Sequence, residues 1–185
     1  MSHRVILVTG GARSGKSHHA QEIALKSAQP VLFVATAEAG DEEMRQRIEE
    51  HQKARPAAWR TLEATTGIGR QIKEKSGEAQ TVIIDCVTLL VSNILTRQEH
   101  AGGGLIEREV MAEISELTEY MNQVKADFII VSNEVGLGLV PENSRSRLYR
   151  DLLGRANQIL AQQCDEVYLM VAGLPFPIKP ARKQE

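Results

Sequence analysis

The sequence predicts an α/β protein whose sheet is mostly parallel and carries helices on both faces. Two observations lead to this. Five short apolar runs, β-branched and continuous, recur along the 185 residues. Between them lie longer segments with apolar residues at helical spacing. Strands buried on both faces read as unbroken apolar runs, as in parallel sheets. Strand alternating with helix is the pattern that builds such a sheet.

The runs are Val5 to Val8, Val31 to Ala35, Val82 to Asp85, Phe128 to Ser132 and Val167 to Ala172. The helical segments are Lys16 to Ala28, Asp41 to Lys53, Leu105 to Lys125 and Arg145 to Gln163. Neither a repeat nor a linker divides the chain, so residues 1–185 are expected to form one nucleotide-binding catalytic domain. The stretch Gln98 to Gly104 ends in three glycines and reads as a flexible exposed loop, with a functional lid as the alternative.

Composition narrows the function. Apolar residues make up 42% of the chain, enough for a core without staples. A net charge of −2 and a pI near 6.2 give no footprint for a nucleic acid. Aromatics at 4% leave little for a base-stacking surface. Lys179, Arg182 and Lys183 read as a short solvated tail. Cys86 and Cys164 form neither a disulfide framework nor a zinc pattern, which points to a reducing, cytoplasmic setting. No apolar stretch approaches the roughly 18 residues of a membrane span.

The motif comes next. Residues 10–17 read GGARSGKS, which fits G-x-x-x-x-G-K-S/T at Gly10, Gly11, Ala12, Arg13, Ser14, Gly15, Lys16 and Ser17. A strand precedes it and a helix is expected to start near Lys16. Glycines let the backbone wrap a phosphate with its N–H groups turned inward. The helix N-terminus adds favourable partial charge. Lys16 is placed to reach the β- and γ-phosphates, and the Ser17 hydroxyl to ligate Mg²⁺. The expected ligand is a nucleoside triphosphate such as GTP or ATP.

Asp85 ends an apolar run, where a phosphate-loop protein needs a carboxylate near the metal ion. The alternative is a cap on the following helix. Glu134 lies just beyond another run and reads either as a second carboxylate at the same sheet edge or as a turn residue. His18 and His19 read as ordinary helix residues. Met44, Ile48 and His51 share one helical face, so spacing alone makes His51 a packed or partly exposed histidine. Asp41, Glu42 and Glu43 suit the positive end of that helix.

The chain resembles the bifunctional adenosylcobinamide kinase and adenosylcobinamide-phosphate guanylyltransferase family of cobalamin biosynthesis. The resemblance runs nearly end to end. It rests on ILVTGGARSGKS, VLFVATAEAGDEEMRQRIEEHQKARPAAWRTLE, IIDCVTLLVSNIL, VSNEVGLGLVPENSRSRLYRDLLGRANQ and EVYLMVAGLP, in that order. The phosphate loop is generic, whereas RPAAWRTLE and SNEVGLGLVPEN are specific.

The family implies two reactions. A triphosphate phosphorylates the aminopropanol arm of adenosylcobinamide, a corrinoid. GTP then gives its GMP unit to that phosphate through a histidine–GMP phosphoramidate, with release of pyrophosphate. The matching histidine is His51. Some members carry a histidine pair where this chain has Glu50-His51, and Lys-Asp-Gly where it has Gln52-Lys53-Ala54. The resemblance further implies GTP contacts at Ala35, Thr36, Ala37, Gln52, Lys53, Ala54, Arg55, Glu63 and Asp85. It also implies a fold like that of RecA-type ATPases and a homotrimer.

Two other readings compete. One is a single-activity small-molecule kinase with no covalent intermediate. The other is a GTP switch, which expects an N-K-x-D guanine reader that the sequence lacks; its only D-x-x-G, Asp151 to Gly154, sits in a helical stretch.

Overall fold

The computed structural model describes residues 3–40, 42–53 and 55–180, without the side chains of Glu43 and Arg47. Asp41, Ala54, Arg182 and Lys183 therefore lie outside the described residues. Strands β1 (Val5–Gly10), β2 (Val31–Ala35), β4 (Thr81–Asp85), β5 (Asp127–Val131) and β6 (Glu166–Val171) fall on the five apolar runs. Two more strands join them: β3 (Arg60–Glu63) and β7 (Leu174–Lys179). The sheet order is β3-β2-β4-β5-β1-β6-β7, parallel throughout except for β7.

Both additional strands are edges. β3 buries only Leu62, so it carries no apolar run. β7 holds Pro175 and Pro177, residues that deny the sheet an N–H and are tolerated at an edge. A tight turn joins it to β6, with Ala172 and Gly173 both at positive φ, 50° and 83°. This is the backbone twist that two-residue hairpin turns require.

Six helices connect the strands: α1 (Lys16–Leu25), α2 (Glu42–Lys53), α3 (Ile68–Lys75), α4 (Val87–Arg97), α5 (Gly103–Gln123) and α6 (Ser144–Gln163). Alternate residues of each central strand serve opposite faces. Val5 and Leu7 pack with α3, α4, α5 and α6, while Ile6 and Val8 pack with Ala20 and Ala24 of α1 and with Trp59. α3 had no counterpart among the predicted helices, and α4 was expected only as the helix following Asp85, without bounds. α5 begins at Gly103, so the connector before it is shorter than predicted, and none of residues 98–104 borders the cleft described below.

Helix α2 departs from the pattern. None of its described side chains reaches the core, and Met44 and Ile48 are only half-buried. The stripe read from the sequence faces a cleft, not the sheet, and His51 is exposed. Lys179 is also not a free tail charge. Its ammonium donates to the carbonyls of Ala161 (3.1 Å), Gln162 (3.3 Å) and Cys164, capping the C-terminal end of α6.

One buried carboxylate ties the N-terminus to β6. Glu166 is 2% exposed and accepts from Arg4 Nε, from Arg4 Nη2 at 2.9 Å and from Tyr168 Oη at 2.7 Å. The Arg4 guanidinium holds its carboxyl below the usual range. A depressed pKa stabilises the fold above the unfolded value of about 4.3, and that contribution fades as pH falls through the folded value. Glu166→Gln should therefore cost about 1–2 kcal/mol at pH 7, with a smaller gap at pH 3.5. Urea unfolding at both pH values measures it; an equal gap at both would show that the charge contributes nothing.

Candidate active site

The carboxyl ends of β1 to β5 open into a cleft of about 830 Å³. Ligands in open parallel sheets lie beyond these strand ends, where neighbouring connections diverge. The phosphate loop forms one wall and α2 another.

The loop leaves β1 at Gly10, whose φ is 143°. A Cβ there would lie 2.5 Å from the Met170 carbonyl oxygen and 2.9 Å from Ser14 Oγ, so only glycine fits. Neighbouring strands brace the loop. Glu134 N–H donates to Gly10 O (2.9 Å), and Gly173 N–H in the β6–β7 turn donates to Ser14 O (3.1 Å). Gly10→Ala should push the loop off β6, cost about 1–3 kcal/mol and weaken GTP binding at least about tenfold. Thermal unfolding and calorimetric GTP titration test this, and wild-type values in both would contradict it.

Gly15 caps α1 in a left-handed conformation and offers no side-chain cap, so the first amides of α1 are open to an anion. Lys16 is 7% exposed and folds back, its Nζ donating to Gly11 O at 2.6 Å. Burial lowers its pKa; Cys86 and Asp85 oppose that. Ala12, Arg13, Ser14, Gly15, Lys16 and Ser17 line the cleft, while Gly10 and Gly11 shape it from behind.

Asp85 lies among them. The Ser17 side chain lies close enough to act on its carboxyl. Burial raises its pKa, and Ser17, His51, Arg55 and Lys16 all pull it back. The N-cap of α4 is Cys86, so Asp85 is not the helix cap. A hydroxyl and a carboxylate side by side are hard oxygen donors that suit Mg²⁺ held mainly by phosphate. Among the described residues no group of three or more His, Cys, Asp or Glu could hold a metal ion.

His51, Gln52 and Arg55 border the opposite wall, with Glu63, Ala35 and Ala37 between. Gln52 Nε2 donates to Glu63 Oε1 at 3.3 Å. Besides Gly10 and Gly11, two residues of the expected set do not border the cleft. Thr36 is fully buried, its hydroxyl bonded to Cys86 N and O at 2.7 Å each. Lys53 points away and pairs with Glu49 at 4.0 Å. Ala54 lies outside the described residues. Glu134 acts as a turn residue: its carboxylate accepts from Gly136 N–H at 2.6 Å and does not border the cleft.

The sequence reading passed over several lining residues. Cys86 lies on the floor, its thiol pushed up to about 11 by burial and by Asp85. It stays protonated near neutral pH and cannot compete as a nucleophile. Asn133 lines the cleft with its backbone fixed by Thr88 (2.7 Å) and Asn157 (3.0 Å). Its position inside SNEVGLGLVPEN was the only signal.

Phosphate loop, carboxylate and histidine thus share one cleft. Residues 6–178 match the family described as cobinamide kinase / cobinamide phosphate guanyltransferase. The chain belongs to this family. It is 40% identical over 181 residues to the bifunctional adenosylcobalamin biosynthesis protein CobU of Salmonella typhimurium, covering 95% of this chain and 99% of that one. It is 39% identical over 173 residues to the bifunctional adenosylcobalamin biosynthesis protein CobP of Pseudomonas aeruginosa, covering 94% and 96%. The corresponding CobU of Escherichia coli is 40% identical over 183 residues, covering 95% and 99%.

Solved structures share the fold at much lower identity. The RadB recombinase superposes with a TM-score of 0.50 at 14% identity, covering 90% of this chain and 73% of its own. A Pyrococcus horikoshii protein superposes with a TM-score of 0.56 at 10% identity, covering 97% and 88%. The cobinamide kinase / guanyltransferase chain described here therefore has a RecA-like phosphate-loop fold. Its cleft joins a loop able to hold a triphosphate with an exposed imidazole on a separate element.

Proposed function

We propose that this chain phosphorylates adenosylcobinamide with ATP or GTP, then transfers GMP from GTP to the product through a His51–GMP intermediate. The products are adenosylcobinamide-GDP and pyrophosphate. The observation that carries this reading is that the phosphate loop and His51 border the same cleft. Family membership supports both activities.

In the guanylyl step a neutral imidazole nitrogen of His51 attacks the α-phosphorus. A nitrogen–phosphorus bond forms, the bridging P–O bond breaks, and its electron pair leaves on pyrophosphate. The remaining ring proton passes to solvent. Lys16 and the loop amides stabilise the charge on the leaving pyrophosphate. Ser17 and Asp85 are the residues that would hold Mg²⁺, which supplies further neutralisation of phosphate charge. An oxygen of the corrinoid phosphate then attacks the same phosphorus; a P–O bond forms, the nitrogen–phosphorus bond breaks onto the ring, and the imidazole takes a proton back from solvent. Imidazole suits this role because its unprotonated nitrogen offers a lone pair that forms and later releases a bond to phosphorus. For the kinase step, Asp85 and Glu63 are the strand-end carboxylates within the cleft.

We further propose that residues 1–185 act as one domain, in the cytoplasm, as a homotrimer. The face of β7 that exposes Leu174 (72%), Phe176 (64%) and Ile178 (55%) supports association. No helix among the described residues is long and apolar enough to cross a membrane.

The test is a product analysis with adenosylcobinamide, ATP, GTP and Mg²⁺. Both the phosphate and the GDP derivative should form in sequence. If only the phosphate forms, the chain is a single-activity kinase.

A further inference from the structure

Arg55 is anchored yet unemployed. Its guanidinium carbon lies 3.8 Å from the ring centroid of Phe33, which is 1% exposed on β2 and so cannot move aside. Cation–π stacking fixes the plane and position of the guanidinium. Its Nε and Nη1 are buried and have no hydrogen-bond partner among the described residues. Leaving donors of a charged group unpaired costs free energy. Asp85 and Glu63 both act on it electrostatically, but neither forms an ion pair with it among the described residues. The group borders the cleft, so a ligand can reach it.

Its position along the chain matters as much. Arg55 follows His51 by four residues, and its N–H donates to Gln52 O at 3.2 Å, so the chain keeps turning beyond α2. Arg55 and His51 both border the same cleft. Lys16, the other buried cation of the cleft, sits within the loop that receives the β- and γ-phosphates. With the β- and γ-phosphates taken by the loop, the α-phosphate is the one left for Arg55 to meet.

We propose that Arg55 binds the α-phosphate of the guanine nucleotide and stabilises the negative charge that gathers there as His51 attacks, making it a catalytic residue chiefly for GMP transfer. This rests on the histidine–GMP reading above and goes beyond a general nucleotide contact. The nitrogen–phosphorus bond forms while the bond to pyrophosphate breaks, and the non-bridging oxygens facing Arg55 carry charge throughout. In the kinase step the reacting phosphorus is the γ-phosphorus, which the loop and Lys16 receive.

The test uses the full chain with Mg²⁺, as wild type, Arg55→Ala and Arg55→Lys. Calorimetry first compares GMP with guanosine, which differ only in the α-phosphate. Arg55→Ala should shrink the preference for GMP about 10- to 100-fold. Next, the rate of protein labelling by GTP carrying a labelled α-phosphate is measured at saturation. It should fall about 100-fold, at least about tenfold more than the kinase kcat. Arg55→Lys should recover only part of either loss, because lysine keeps the charge but not the stacked plane. An unchanged preference for GMP would overturn the proposal. Equal losses in labelling and kinase kcat would also overturn it, since they mark a strut between α2 and β2. If wild type takes no label, the histidine reading fails; the GMP–guanosine comparison still decides whether Arg55 holds a phosphate.

Discussion

Lys16→Ala should abolish both reactions, lowering kcat/KM of each by about 10³-fold or more. The ammonium is buried at 7% exposure and rests on Gly11 O at 2.6 Å, a contact inside the loop itself. A triphosphate in that loop takes over this hydrogen bond and gains a full positive charge. Alanine removes the charge just where pyrophosphate leaves in one reaction and where the γ-phosphoryl departs in the other. Steady-state kinetics of each reaction read the effect. We propose that one loop serves both steps, so a variant that kept its kinase activity would require a second triphosphate site.

His51→Ala should separate the two activities. GMP transfer should fall on the order of 10⁴-fold or more, because the atom that bonds phosphorus is gone. Phosphorylation should fall far less, since the γ-phosphoryl transfer asks nothing of the imidazole. The Cys86 thiol cannot take over, because burial and Asp85 hold it near 11 and protonated. Product analysis with adenosylcobinamide and both nucleotides distinguishes the outcomes. A parallel loss of both reactions would mean that His51 serves the cleft structurally.

The central strands were legible because burial on both faces leaves an unbroken apolar run, as in Val31 to Ala35. Edge position hid the others. Leu62 alone is buried on β3, and the two prolines of β7 read against a strand. α4 was expected after Asp85 but given no bounds, because Val87 to Leu95 is apolar on most sides, which blurs helical spacing. The phosphate loop was legible from its motif, since wrapping a phosphate demands those residue types in that order.

His51 was only half legible. Spacing placed it with Met44 and Ile48, but that face borders the cleft, because α2 does not pack on the sheet. Its suggested role came from the family resemblance. Thr36 shows the opposite limit: its hydroxyl turns inward onto Cys86, 50 residues away, which no local pattern announces. Arg55 on Phe33 is a long-range contact of the same kind.

The covalent intermediate is the centre of the account. Wild-type protein incubated with Mg²⁺ and GTP labelled at the α-phosphate, then denatured, should retain label that is acid-labile and base-stable, as a phosphoramidate is. His51→Ala should retain none. Wild-type protein that turns over yet holds no such label would contradict the account.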